Sequence, residues 1–198
     1  MRMRGDLRGG DCQMKRLLVV VDYQNDFVDG ALGFDGAELL EEPIAAKINE
    51  YRESGDLVSF TLDTHHKDYL DTQEGRNLPI PHCLEGSEGH GLYGKIADLV
   101  RDSDDVFLKP TFGSTELFIR LAKAQAVAKG AGCQPFSSIE FVGLVSNMCV
   151  LSNAVMARAA CPDVPIIVDA ACTAAPDPDM NEKALDILEG LQIQVINR

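Results

Sequence analysis

Tryptophan is absent from this 198-residue chain, and only 6% of its residues are aromatic. A planar ligand would therefore find no indole to stack on. Positive charge is also scarce: 18 Lys+Arg stand against 31 Asp+Glu, a formal net charge of −13. Phosphate backbones are held by Lys and Arg that release counterions, so this balance argues against a nucleic-acid partner. No apolar run approaches the roughly 18–20 residues of a membrane span. The longest is Leu17–Val21, and the basic start MRMRGDLRGGDCQMKR has no apolar stretch to serve as a signal sequence. No Cys-x-x-Cys pair occurs among Cys12, Cys83, Cys133, Cys149, Cys161 and Cys172, and their spacing is too sparse for a small disulfide scaffold. These absences point to a cytoplasmic protein with reduced thiols and no membrane or nucleic-acid partner.

What remains is ordinary globular usage, with 45% hydrophobic and 25% charged residues. A chain of this length makes one domain that buries about 70% of its unfolded surface. Residues 1–13 show no hydrophobic periodicity, so they read as a flexible extension or as lying upstream of a natural start at Met14; the domain is 14–198. Leu17–Asp22, Leu57–Leu62, Asp105–Leu108, Ile139–Val145, Val164–Asp169 and Ile193–Ile196 read as strands. Helical patterns lie between them at Glu38–Glu53, Gly91–Val100, Ser114–Lys129, Asn147–Ala160 and Met180–Gly190. This alternation predicts an α/β fold, a mainly parallel sheet with helices on both faces. Residues 63–90 carry little periodicity, and loops of that length are usually functional.

In parallel sheets ligands sit beyond the carboxyl ends of the strands. That rule selects Asp22, Asp63, Lys109 and the Ser146–Cys149 turn, each directly after a strand. A cysteine usually only packs as a small hydrophobe, a role that serves Cys12, Cys133, Cys161 and Cys172. Cys149 differs, because a thiol near the start of a helix feels the dipole and free N–H groups that favour thiolate. Asp22, at the end of an apolar strand, is expected to be partly desolvated and so made more basic unless a cation sits nearby. With Lys109 these residues form a candidate nucleophile, base and cation.

Three segments carry a family resemblance: Asp22-Tyr-Gln-Asn-Asp-Phe27, Lys109-Pro-Thr-Phe112 and Gly143-Leu-Val-Ser-Asn-Met-Cys149-Val150. Together they resemble the isochorismatase-like cysteine hydrolases, most closely the nicotinamidase/pyrazinamidase branch, over about residue 15 to the end. The resemblance implies a three-layer Rossmann-like fold and an Asp22–Lys109–Cys149 triad. It also implies a cis peptide at Val145–Ser146 and an oxyanion hole from the N–H groups of Met148 and Cys149. Asp63, His65, Glu74 and His82 match the family's metal ligands, which suit zinc best, or iron or manganese. Gln24, Phe27 and Phe112 are the matching candidates for the substrate pocket, with Tyr69 a further source of ring contacts. The chain departs from the pattern where many members carry tryptophan, having Thr64 and Pro79 instead.

The implied activity is metal-dependent deamination of nicotinamide to nicotinate and ammonia through a Cys149 thioester. The alternatives are a related amidase for another small amide or carbamoyl compound, or a non-catalytic small-molecule binder. The family often assembles, so a homo-oligomer is also open to this chain. His66, His90 and Cys83 are read as bystanders.

Overall fold

A computed structural model describes residues 14–198; the extension over residues 1–13 lies outside the described residues. In chain order it runs β1 (Arg16–Val21), α1 (Asn25–Val28), a 3-10 turn (Ala37–Leu40) leading into α2 (Glu41–Glu53), and β2 (Leu57–Asp63). A second 3-10 turn (Tyr69–Asp71), α3 (Gln73–Asn77) and α4 (Gly94–Asp98) precede β3 (Asp105–Lys109) and α5 (Thr115–Gly130). Then follow β4 (Ser138–Leu144), a five-residue π-turn (Ser146–Val150), α6 (Leu151–Ala160), β5 (Ile166–Ala174), α7 (Pro178–Gly190) and β6 (Gln194–Ile196).

The six strands form one parallel sheet in the order β3-β2-β1-β4-β5-β6. The doubly wound α/β expectation is met. β1 shows why the sheet has two covered faces. Leu17, Val19 and Val21 point to the side of α5, α6 and α7, where they meet Leu121, Ala154 and Leu188. Leu18 and Val20 point the other way, toward Ile44 and Ile48 of α2. Side chains alternate along a strand, so a strand buried on both faces must be apolar throughout. Each such burial is worth about 1.5–3 kcal/mol.

Chain order reverses between β1 and β4, which places a crevice at their carboxyl ends. Ser114 caps α5 as its position suggests, accepting from Leu117 N at 3.2 Å. Several boundaries differ by a few residues from the sequence reading, and two of the shifts have a clear cause. α7 starts two residues early because Asp177 caps it and Pro178 fits its first turn. β5 runs on to Ala174 because, after a register shift, Thr173 and Ala174 pair with Gly143 and Leu144; Ala170 and Ala171 carry little strand propensity of their own.

Cys83, Cys149, Cys161 and Cys172 are buried free thiols, whereas Cys133 is disulfide-bonded, which corrects the expectation of reduced thiols throughout. Among the described residues no helix is long and apolar enough to cross a membrane.

Gly143 has a specific reason to be glycine. Its φ is +108°, and a Cβ there would lie 2.0 Å from the Val21 carbonyl oxygen. Both the backbone angle and the neighbouring strand reject a side chain. Gly143→Ala is expected to lower unfolding stability by about 2–3 kcal/mol, read from the chemical denaturation midpoint. An unchanged midpoint would mean that β1 and β4 can separate freely at this point.

Candidate active site

The strand order sets the site. β3, β2, β1 and β4 are neighbours, so the residues ending them emerge side by side. Asp63 and Lys109 are direct register partners. Lys109 Nζ lies 2.6 Å from Asp22 Oδ2, 3.2 Å from Asp63 Oδ1 and 3.4 Å from Cys149 Sγ. All four side chains are buried. Thr61 Oγ1 donates to Asp22 Oδ1 at 2.6 Å, and Asp22 itself takes a left-handed φ of 45° at the strand end. A non-glycine residue held there is strained, as functional positions often are.

The electrostatics follow from crowding charges out of water. Burial raises the Asp22 carboxyl, against the pull of Lys109. Burial likewise tends to lower the Lys109 ammonium, but Asp22, Cys149 and Asp63 around it hold it well above its ordinary value. Cys149 corrects the sequence reading. Its thiol is raised well above the usual value by burial, with the Asp22 and Asp63 carboxylates adding to the rise and Lys109 opposing it. The dipole argument places the thiol at or near the first turn of an α-helix. Instead it lies in the π-turn ahead of α6, out of water, where burial chiefly and then two carboxylates disfavour the thiolate. Burial thus favours the neutral thiol over the thiolate at this position.

Beside this cluster, one ligand atom from each of Asp63, His65, Glu74 and His82 lies within 4.8 Å of the others. His65 Nε2 is 3.0 Å from Asp63 Oδ2 and 3.7 Å from Glu74 Oε1. His82 Nε2 is 3.3 Å from Asp63 Oδ2 and 3.9 Å from Glu74 Oε1. His82 Nδ1 lies 2.8 Å from the Ile80 carbonyl oxygen, which can only accept, so Nδ1 carries a proton and Nε2 is the ring nitrogen that faces the cluster. Two imidazoles and two carboxylates aimed at one point form a donor set that fits a zinc-like divalent ion. Burial opposes ionisation of Asp63, but the histidines and Lys109 hold it far below the usual carboxylate range.

The loop between β2 and β3 is fastened at two points. Gln24 is fully engaged with backbone, its Nε2 donating to the carbonyls of Asp63 and His90 and its Oε1 accepting from Asp63 N at 2.7 Å. Its expected place in the substrate pocket gives way to a brace that fixes the end of β2, because both Nε2 hydrogens and one Oε1 lone pair are spent on backbone. Asp26 is the second fastening, accepting from Cys83 N at 2.7 Å and from Ala31 N at 3.1 Å. His65 N bonds Cys83 O at 3.0 Å and Glu85 N bonds His65 O at 2.8 Å, which draws His82 alongside His65. Thr64 turns to His90, its Oγ1 lying 2.9 Å from Nε2. His66 is exposed beside Glu85.

Phe27 is buried with its ring 5.6 Å from His82, edge-on, and so walls the metal group. Phe112 is partly exposed and lines an open cleft of about 620 Å³ together with Glu74, Leu78 and Met148. Tyr69 is buried against both imidazoles rather than open to a ligand.

The cis peptide lies at Leu144–Val145, one bond before the expected Val145–Ser146. Met148 N, one of the two expected oxyanion donors, bonds Val145 O at 3.2 Å. Ser146 is buried within the same turn.

Asn153 escaped the sequence reading. Its Nδ2 donates to Cys149 O at 2.8 Å and Phe112 O at 3.1 Å, and its Oδ1 accepts from Ser114 N at 2.9 Å. It ties the nucleophile turn to the segment after β3. The available signal was its spacing of four residues from Cys149, on the same helical face.

Residues 16–198 match the isochorismatase domain model. The uncharacterized isochorismatase family protein PncA of Bacillus subtilis (strain 168) is 30% identical over 153 residues, 72% of this chain and 78% of that protein. The crystal structure of nicotinamidase/pyrazinamidase PncA from Bacillus subtilis superposes with a TM-score of 0.77 at 27% identity, covering 92% of this chain and 99% of that one. N-carbamoylsarcosine amidase from Thermoplasma acidophilum gives a TM-score of 0.70 at 26% identity, over 92% and 95% of the two chains. With the family model covering almost all the described residues, this chain belongs to the isochorismatase domain family.

Proposed function

We propose that this protein is a metal-dependent cysteine amidase that converts nicotinamide to nicotinate and ammonia, acting in the cytoplasm on a small-molecule amide. The observation that carries this reading is one buried ammonium touching two carboxylates and a thiol, with a four-donor metal group sharing Asp63. A binding module has no need of a buried thiol held against a carboxylate and a lysine. The similarity to a protein described as a nicotinamidase/pyrazinamidase supports the choice of substrate.

Asp22 acts as the base. Burial makes its carboxylate proton-hungry, and moving the Cys149 proton onto it leaves the net charge of the cluster unchanged. The thiolate formed is balanced by Lys109, which lies 3.4 Å from the sulfur. Sulfur attacks the amide carbon, and the oxyanion is received by N–H groups of the Val145–Cys149 turn. Each such donor is worth about 3–4 kcal/mol in hydrolases. Met148 N–H would exchange its long bond to Val145 O for the oxyanion. Asp22 then gives its proton to the departing nitrogen, which leaves as ammonia. The thioester is hydrolysed by water that Asp22 deprotonates, and the acid leaves with the thiol restored. A divalent ion held by Asp63, His65, Glu74 and His82 would supply a Lewis acid that orients a pyridine nitrogen.

One observation favours a second substrate class. The chain has no indole, and Thr64 faces His90 rather than a ligand. A carbamoyl compound or other small non-aromatic amide needs no stacking partner, and one structural neighbour is described as an N-carbamoylsarcosine amidase.

The test is ammonia release from nicotinamide, with metal analysis of the same sample. Rapid release with about one zinc or iron per chain is expected. Bound metal without release would keep the cysteine chemistry and move the substrate to carbamoyl compounds. Neither release nor metal would overturn the metal-dependent reading.

A further inference from the structure

Glu74 reaches the metal group from α3, a helix of five residues (Gln73–Asn77), too short to hold its own position. Its location is fixed instead by Tyr69. The Tyr69 ring is buried, with its centroid 4.6 Å from that of His65 and 5.1 Å from that of His82. Its hydroxyl donates to the Leu78 carbonyl oxygen at 2.8 Å. The N–H of the same Leu78 bonds the Glu74 carbonyl at 2.8 Å. At the other end, Thr72 Oγ1 donates to Tyr69 O at 2.6 Å and accepts from Gly75 N at 3.0 Å. α3 is pressed so closely onto this residue that a Cβ on Gly75 would lie 2.0 Å from Tyr69 O.

We infer that Tyr69 is a positioning residue for the metal group, its ring packing both imidazoles and its hydroxyl closing the 69–78 loop so that the Glu74 carboxylate stands opposite them. This role rests on the metal-dependent reading above and extends it to a residue that touches no ion. The logic is that of an outer shell. Ligands are held in usable geometry by groups behind them, and removing such a group typically costs about 10–100-fold in metal affinity. Tyr69 serves three of the four donors at once: two through its ring, and the third through the Leu78 peptide.

The experiment is chelator competition for Zn²⁺, with the absorption spectrum of the Co²⁺-substituted protein as a second readout. Tyr69→Phe keeps the ring and removes only the hydroxyl. It is expected to weaken Zn²⁺ binding about tenfold and to shift the Co²⁺ bands. Thr72→Val, which opens the loop from its other end, is expected to weaken binding in the same direction and carries the test if Tyr69→Phe does not fold. Glu74→Gln separates positioning from general stability. If the hydroxyl acts through Glu74, adding Tyr69→Phe to Glu74→Gln changes affinity less than about twofold. Parent-like affinity and Co²⁺ bands in folded Tyr69→Phe, or a full tenfold further loss in the double variant, would overturn the inference while leaving the metal reading intact. A parent protein that binds neither ion would overturn the metal reading itself.

Discussion

Cys149→Ala is expected to lose at least about 10⁴-fold in turnover of any amide this protein hydrolyses, while keeping its fold and bound metal. The magnitude follows from removing the nucleophile of a set that acts as a unit. Among the described residues no other free thiol stands ready to replace it: Cys83, Cys161 and Cys172 are buried at sites of their own, with their thiols pushed up by that burial. The structural change is small, since only Sγ is lost from a buried pocket whose walls belong to β1, α6 and the π-turn. Its stability cost is about 1 kcal/mol. Metal content should be untouched because Asp63, His65, Glu74 and His82 do not include it. Steady-state ammonia release and metal analysis on the purified variant check both halves. Activity within tenfold of the parent would move the nucleophile elsewhere.

Lys109→Met has a second large effect, on stability as well as on turnover. The methionine fills nearly the same volume but removes the ammonium that touches Asp22, Asp63 and Cys149. Breaking a buried ion pair by deleting one partner costs about 3–5 kcal/mol, because the remaining charge stays out of water. The loss should depend on pH. Burial already raises Asp22, and Lys109 is the largest force lowering it. Without that force the folded value lies far above the unfolded value near 3.9. The folded variant then binds a proton that the unfolded chain releases, so its stability declines as pH rises through the folded value. The penalty relative to the parent is expected to be larger at pH 8 than at pH 5. Urea denaturation at the two pH values measures it. An equal loss at both, or none, would show that Asp22 does not depend on Lys109 for its charge.

The outer shell of the site was harder to see in the sequence than its chemistry. Tyr69 and Gln24 both drew attention as ring or pocket contacts, yet each is turned inward to hold backbone. Which way a polar side chain points depends on where unpaired carbonyls lie, and those belong to segments as distant as His90 from Gln24. Asn153 was hidden for the same reason, since its partners come from three separate stretches. The thiol's acidity was misjudged because it is a sum over charges that only folding brings together.

The sequence by itself determined the doubly wound sheet, for strands buried on two faces and helices buried on one leave different periods in the chain. It also determined which groups end each strand, and hence that Asp22, Asp63, Lys109 and Cys149 emerge at one edge. Tertiary structure alone decided the rest: burial raises the Cys149 thiol, the cis bond lies at Leu144–Val145, and Tyr69 closes the loop that carries Glu74. Periodicity is a local property that survives in a linear string. Burial, charge balance and hydrogen-bond closure are sums over neighbours far apart in the chain, and they exist only once it has folded.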